Sequence, residues 1–246
     1  MKTFLGLALF ATMASSPAPA LAAGTLESDI LSTSAGDLRV TFIGHASLMF
    51  EFGGKVIYND PVGQFGDYGK LPKADVILVA HEHGDHFDPK TIALISTDKT
   101  KLVVTPICAA KGARGIVLKN GEETIVDGIR IEATPAYNIV HMRSPGMPFH
   151  PRGDGNGYIL TFGDKRVYVA GDTENIPEMK ALGRIDIAFL PMNLPYTMSP
   201  EMTADAARMV RPAILYPYHT TDTDTSKLHP LLKDEKGIEV RIRQMK

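Results

Sequence analysis

The chain has no tryptophan and a single cysteine, Cys108. One thiol cannot close a disulfide within its own chain, and a cysteine-built zinc site is excluded. Cys108 follows Thr105-Pro106-Ile107 with no histidine beside it, which reads as a buried apolar thiol and not as a nucleophile. A charge excess of either sign is also missing: 26 Lys and Arg face 28 Asp and Glu, for a net charge of −2. That balance offers no general polyanion-binding surface, so nucleic acid is not an expected partner. Hydrophobic residues make up 44% and charged residues 22%, which excludes a disordered chain. No apolar run approaches the ~20 residues that a bilayer-spanning helix needs.

The N-terminus carries a different signal. Lys2 precedes the apolar stretch Phe4 to Ala11, and Ala20-Leu21-Ala22 supplies a small-x-small cleavage site. Residues 1–22 therefore read as a secretory signal peptide, with an uncleaved anchor as the alternative. Cleavage leaves residues 23–246 as one domain, expected in a periplasm or secreted, without a membrane anchor. No cysteine stands near the cleavage site to accept a lipid.

The rest of the chain reads as two similar halves. Val40 to Ile43 and Leu48 to Phe52 are strand-like, and Gly53-Gly54 is a two-residue turn into Lys55 to Tyr58 and Asp60. Tyr158 to Phe162, Gly163-Asp164 and Arg166 to Ala170 repeat the pattern and lead to Asp172. Two apolar runs follow, Ala74 to Ala80 and Ile185 to Leu190, both suited to strands buried on two faces. Each precedes a capped helix start, Asp88-Pro89 or Ser199-Pro200. Two unrelated sheet units would give the same order by chance. Either way, the expectation is an α/β layered domain with two sheets.

The chemistry concentrates in His81-Glu82-His83-Gly84-Asp85-His86. If the chain stays extended beyond the buried strand, His81 and His83 face one point. Gly84 permits a turn that brings Asp85 and His86 in as a second group. Imidazole nitrogen with carboxylate oxygen suits zinc, manganese or iron; calcium would draw an all-oxygen set. Asp172 and His219 end other strands and are the distant candidates.

His81-x-His83-x-Asp85-His86 resembles the signature of the metallo-β-lactamase superfamily. The wider pattern is similar to its branch of ascorbate-6-phosphate lactonase-like hydrolases. The matching pieces are Ile43 to Ser47, Asn59-Asp60-Pro61, Thr134 to Asn138, Ala170 to Thr173, Tyr196-Thr197-Met198 and Tyr218-His219. The resemblance implies a four-layer αββα sandwich holding two divalent ions, Zn2+ first, with Mn2+ or Fe2+ as alternatives. It assigns His81 and His83 to one ion, Asp85, His86 and His219 to the other, and Asp172 to the bridge. A metal-activated hydroxide would then attack a small-molecule substrate, with Asp85 and Asp172 as the catalytic carboxylates. The family's first ion usually takes a third histidine near Thr134 to Asn138. This chain has Asn138 there, and His150, in the stiff Pro148-Phe149-His150-Pro151, is the expected replacement ahead of His141.

Four further residues are candidates for substrate contact or for supporting a ligand: His45, Asp60, Asn138 and Tyr196. The loop from Asn138 to Asn156, with Arg143 and Arg152, reads equally as a lid for an anionic substrate or as a plain surface loop. The leading expectation is an exported hydrolase of a small ester, lactone, amide or phosphodiester. β-Lactam cleavage is not expected. A non-catalytic metal-binding or partner-binding module is the first alternative. A di-iron redox enzyme is the second, and it would be expected to bring an electron-carrier domain.

Overall fold

The structure is a computed structural model that describes residues 26–245. The signal-peptide reading of residues 1–22 lies outside them. Strands β1 (Ser28–Thr33), β2 (Gly36–Gly44), β3 (Ser47–Phe52), β4 (Lys55–Asn59), β5 (Val76–Leu78), β6 (Lys101–Val104) and β7 (Ile116–Val117) form one seven-stranded sheet in sequence order. Strands β8 (Glu123–Val126) and β9 (Ile129–Ala136) open the second half. A small hairpin of β10 (Met142–Ser144) and β11 (Met147–Pro148) follows. Then come β12 (Gly155–Phe162), β13 (Lys165–Val169), β14 (Ile187–Pro191), β15 (Ile214–Tyr218) and β16 (Glu239–Val240). Seven of these make the second sheet, in the order β16-β15-β14-β13-β12-β9-β8.

Alternation along the strands sorts side chains into three apolar layers. Val40, Phe42, Leu48, Phe50, Ile57, Val76 and Leu78 point inward and meet Ile131, Leu160, Phe162, Val167, Phe189 and Tyr216 of the second sheet. Their neighbours point outward. Met49, Tyr58, Ile77 and Val79 pack on Ile95 of helix α1 (Pro89–Ile95) and Cys108 of helix α2 (Pro106–Ala110). Ile159, Tyr168, Ala188, Leu190 and Leu215 pack on Ala204, Ala207 and Val210 of helix α3 (Pro200–Val210). The result is helix, sheet, sheet, helix, as the resemblance implied. Both helix starts carry the expected caps: Asp88 accepts from the Lys90 and Thr91 amides, and Ser199 from the Met202 amide.

The internal repeat is present at the level of single hydrogen bonds. β2, β3 and β4 run antiparallel, and β4, β5 and β6 run parallel; β9, β12, β13, β14 and β15 do the same. The Asp75 amide donates to the Val56 carbonyl, while its carboxylate accepts from the Val56 amide at 2.9 Å. Asp186 makes the same pair of bonds with Arg166. Equivalent strand ends therefore meet at one edge of the sandwich, where the chain leaves β4 toward Asp60, β13 toward Asp172 and β15 toward His219. Among the described residues no helix is long and apolar enough to cross a membrane.

Candidate metal centre

His81 and His83 do not converge by strand alternation. β5 ends at Leu78, and residues 81–86 turn, with the His86 and Phe87 amides both donating to the His83 carbonyl. The chain bends at Glu82 and His83, ahead of that turn, and His81 Nε2 lies 3.0 Å from His83 Nδ1. Gly84 has an ordinary φ and open space where a Cβ would stand, so the bend does not depend on a glycine there.

Three groups of nitrogen and carboxylate oxygen atoms lie close enough to share a cation: His81 with His83 and His150; His45 with Asp85, His86 and His219; and His81 with His86 and Asp172. Asp172 joins the sets by aiming one oxygen at each. Its Oδ1 lies 3.3 Å from His86 Nε2 and 3.4 Å from His219 Nε2, and its Oδ2 lies 3.1 Å from His150 Nε2 and 3.8 Å from His81 Nε2. Asp172 is brought there by Gly171, which sits at φ +69° with the Asn156 carbonyl 2.5 Å from where a Cβ would stand. His219 and His45 also occupy the left-handed region, at φ 50° and 54°, and the His219 amide donates to the His45 carbonyl. Backbone strain in non-glycine residues at such a point is characteristic of sites where placement matters.

The donor set fits a cation. His86 Nε2, His219 Nε2 and Asp172 Oδ1 are fully buried and have no hydrogen-bond partner. Stranding such atoms in an apolar interior costs about 1–3 kcal/mol each, more where charge is involved. All three point at one another, so one positive ion would satisfy them together. The electrostatics agree. Burial opposes charge on both Asp172 and His86. The imidazoles of His219, His86 and His150 nevertheless hold Asp172 well below the usual carboxylate range, and Asp172 with Asp60 raises His86 well above its ordinary value. Burial, reinforced by His86, drives His81 well below its own.

A second ring of contacts orients the donors. Asp60 is fully buried and accepts from His86 Nδ1 at 2.8 Å and from the Ala80 amide at 2.7 Å. That fixes the His86 tautomer and leaves Nε2 free for a metal. His45 Nε2 lies 3.1 Å from Asp85 Oδ2, and its ring stacks on Phe65 with centroids 4.6 Å apart. Asp85 is the exposed member of its group, its side chain 41% accessible, and it faces the cleft. Asn138 supplies no imidazole but supports one: its Oδ1 accepts from both the amide and Nδ1 of His150, each at 2.8 Å. Its Nδ2 donates to Glu174 Oε1 and to the Tyr196 carbonyl. The position where the family usually has a histidine thus holds the residue that aims His150.

Sequence reading missed Glu174. This buried carboxylate accepts from the amides of Ile139, Val140 and His141 and from His141 Nδ1, all at 2.7–2.8 Å. It pins the base of the 138–156 loop and takes His141 away from the metal groups. Only its place two residues after Asp172 could have marked it. Asn193 was missed as well; its Nδ2 is 3.5 Å from His219 Nδ1, and it lines the cleft. Tyr196 lines the cleft and is half-exposed, whereas Thr197 is buried and ties its own loop to Asn193. Cys108 is buried against α1 and the first sheet, and burial raises its thiol.

A four-layer αββα sandwich with a His/Asp cluster where both sheets end defines a metallo-β-lactamase-fold hydrolase. The chain belongs to that superfamily: the family model described as the Beta-lactamase superfamily domain matches residues 39–219. It is 32% identical over 194 residues to a UPF0173 metal-dependent hydrolase of Pelotomaculum thermopropionicum, covering 74% of this chain and 84% of that one. A crystal structure assigned to the metal-dependent hydrolases, from Parabacteroides distasonis, superposes with a TM-score of 0.86. The two chains are 49% identical, over 90% of this chain and all of the other. The fold is shared with Igni18, a metallo hydrolase of Ignicoccus hospitalis, at TM-score 0.68 and 24% identity over 85% of this chain and 96% of that one. The chain is accordingly a metal-dependent hydrolase. These relatives carry the general description only, and the finer likeness to the ascorbate-6-phosphate lactonase branch rests on the motifs alone.

Proposed function

We propose that the chain is an exported hydrolase that uses two divalent ions, Zn2+ first, to cleave a small ester, lactone, amide or phosphodiester. The observation that carries the reading is the Asp172 carboxylate, with one oxygen toward His86 and His219 and the other toward His81 and His150. His81, His83 and His150 would hold one ion, Asp85, His86 and His219 the other, and Asp172 both. Ions bound there would lower the pKa of a coordinated water from ~15.7 toward about 7 and polarise the scissile oxygen. The chain's own groups do the rest. Asp85, held by His45 and open to the cleft, orients the attacking water. Asp60 and Asn138 fix the tautomers of His86 and His150. Arg143, Asn193 and Tyr196 line the cleft, of about 310 Å³, where the substrate would sit. No serine or cysteine nucleophile is required.

His150 removes the main argument for a non-catalytic module, the missing histidine at Asn138, because it brings a third imidazole to His81 and His83. Export rests on the sequence of residues 1–22 and is tested by N-terminal sequencing of the protein from a fractionated native host. For the hydrolase reading, metal analysis of the loaded protein is expected to give close to two ions per chain. Asp172→Ala is expected to hold fewer than one and to lose metal-dependent turnover on an ester, lactone and phosphodiester panel. Two ions and full turnover in that variant would sink the bridging role.

A further inference from the structure

The cleft has an apolar collar that metal chemistry does not explain. Among the described residues ten large hydrophobic side chains are exposed, and six of them, Ile139, Val140, Met142, Met147, Leu194 and Tyr196, belong to the two segments, 139–149 and 194–196, from which Arg143, Phe149 and Tyr196 line the cleft. The segments are locked to one another. Phe149 meets Tyr196 edge-on with centroids 5.0 Å apart, and Asn138 Nδ2 donates to the Tyr196 carbonyl at 2.9 Å. Phe149 and Tyr196 line the same cleft as His45, His83, Asp85, His150, Asp172 and His219. Arg143 lines it too; its guanidinium lies over the Phe149 ring, 5.7 Å from the centroid, and among the described residues it has no carboxylate partner. The base of this loop is fixed by Glu174, while its tip is the small β10–β11 hairpin that presents Met142 and Met147.

Exposed apolar side chains gathered at the rim of a polar pocket mark a surface that something apolar covers. Continuity with the cleft identifies the occupant as a ligand of that cleft. A bilayer-binding surface would add several basic side chains around the apolar patch. Here the neighbouring Arg152 is already paired with Glu178, and Arg143 stands alone. One cation and one collar match one anionic group and one tail.

We propose that the substrate is a soluble single-chain amphiphile. Its hydrolysable polar head, carrying an anionic group, lies by Arg143, and its alkyl or acyl tail lies across the collar. The assignment rests on the hydrolase reading for its chemistry and names the substrate class of the same cleft.

The test is binding, which does not depend on turnover. Zinc-loaded protein is titrated calorimetrically with butyl, hexyl, octyl and decyl phosphate below their micellar concentrations. Each methylene taken out of water contributes about fourfold. Two or three covered methylenes therefore make decyl phosphate about 15- to 60-fold tighter than butyl phosphate. In Met142→Ser/Met147→Ser, whose sites are solvent-exposed and whose folding is checked by thermal unfolding, the gradient flattens. In Arg143→Gln the whole series weakens. Equal affinity along the series overturns the proposal. So does co-sedimentation with anionic phospholipid vesicles in place of a chain-length gradient, or a monomer–dimer change caused by the double variant, since either gives the collar another partner. Absence of metal-dependent turnover with the gradient intact would instead count against the hydrolase reading.

Discussion

Asn138→Leu isolates the residue that stands where a histidine is usual. Leucine matches asparagine in heavy-atom number and branching, is somewhat bulkier, and removes every polar atom of the side chain. Asn138 is buried, and its Oδ1 is the acceptor for both the amide and Nδ1 of His150. Each stranded buried donor costs about 1–3 kcal/mol. Part of that relaxes because the loop remains pinned by Glu174, so a net loss of about 2–4 kcal/mol in unfolding free energy is expected. Losing the partner that orients a metal-ligating imidazole typically weakens metal binding 10- to 100-fold, or about 1.4–2.8 kcal/mol. The weakening should be confined to the ion held by His81, His83 and His150. His86 keeps its Asp60 bond at 2.8 Å, so the other ion should bind as before. Competition with a chromophoric chelator resolves two stoichiometric steps, and urea unfolding gives the stability. A folded Asn138→Leu protein with both affinities unchanged would refute the argument that Asn138 sets His150. Equal weakening of both steps would refute the division into two donor groups.

Two further perturbations test the scaffold. Asp60→Ala removes the carboxylate that accepts from His86 Nδ1, the Ala80 amide and Asn59 Nδ2, and is expected to cost about 3–5 kcal/mol in urea unfolding while weakening the ion on the His86 side. Asp88→Ala removes the α1 cap and should cost about 1 kcal/mol at neutral pH. Burial raises the Asp88 carboxyl, but bonds from Thr91, Gly63 and Lys90 bring it below its ordinary value. A depressed native pKa stabilises above the unfolded value of about 3.9 and is lost as pH falls through the native one. The gap between wild type and Asp88→Ala should therefore be full above about pH 5 and narrow below about pH 4; a gap that stays constant to low pH would contradict the ionised cap.

The sandwich was legible because its strands bury both faces. Val40, Phe42, Leu48 and Phe50 fill one apolar layer while Met49 fills another, so continuous apolar runs with glycine turns mark strands plainly. The His81 to His86 cluster was legible because so many donors in six positions have no cheaper use. What the sequence concealed is conformational. His81 and His83 meet where the chain bends at Glu82 and His83, and no residue in the run marks the end of β5 at Leu78. Glu174 was invisible because its role depends on amides 33 to 35 positions away, which are brought near only when β9 and β13, on either side of β12, end at the same edge of the sheet.

Duplication explains why the site lies where it does, and its breakdown explains the chemistry. The paired aspartates Asp75 and Asp186 lock each half by the same bonds, so each sheet delivers strand ends to the same edge. A faithful copy would put like residues at like ends and crowd equal charges together. The halves differ instead. The first sheet's end carries Asp60 and the histidine turn, while the second sheet's end carries Asp172 and His219. The carboxylate of Asp60 lies behind His86, where it fixes a tautomer, and that of Asp172 lies in front, between the imidazoles. Two similar halves with opposite placement of one carboxylate yield a buried pocket of converging nitrogen and oxygen donors, a set that suits cations. Moving the front carboxylate to asparagine, Asp172→Asn, would remove the charge but keep the shape, which makes it the sharper companion to Asp172→Ala. The protein should stay folded by circular dichroism and lose most of its metal, whereas retention of two ions would mean that geometry alone, without the central charge, suffices to hold them.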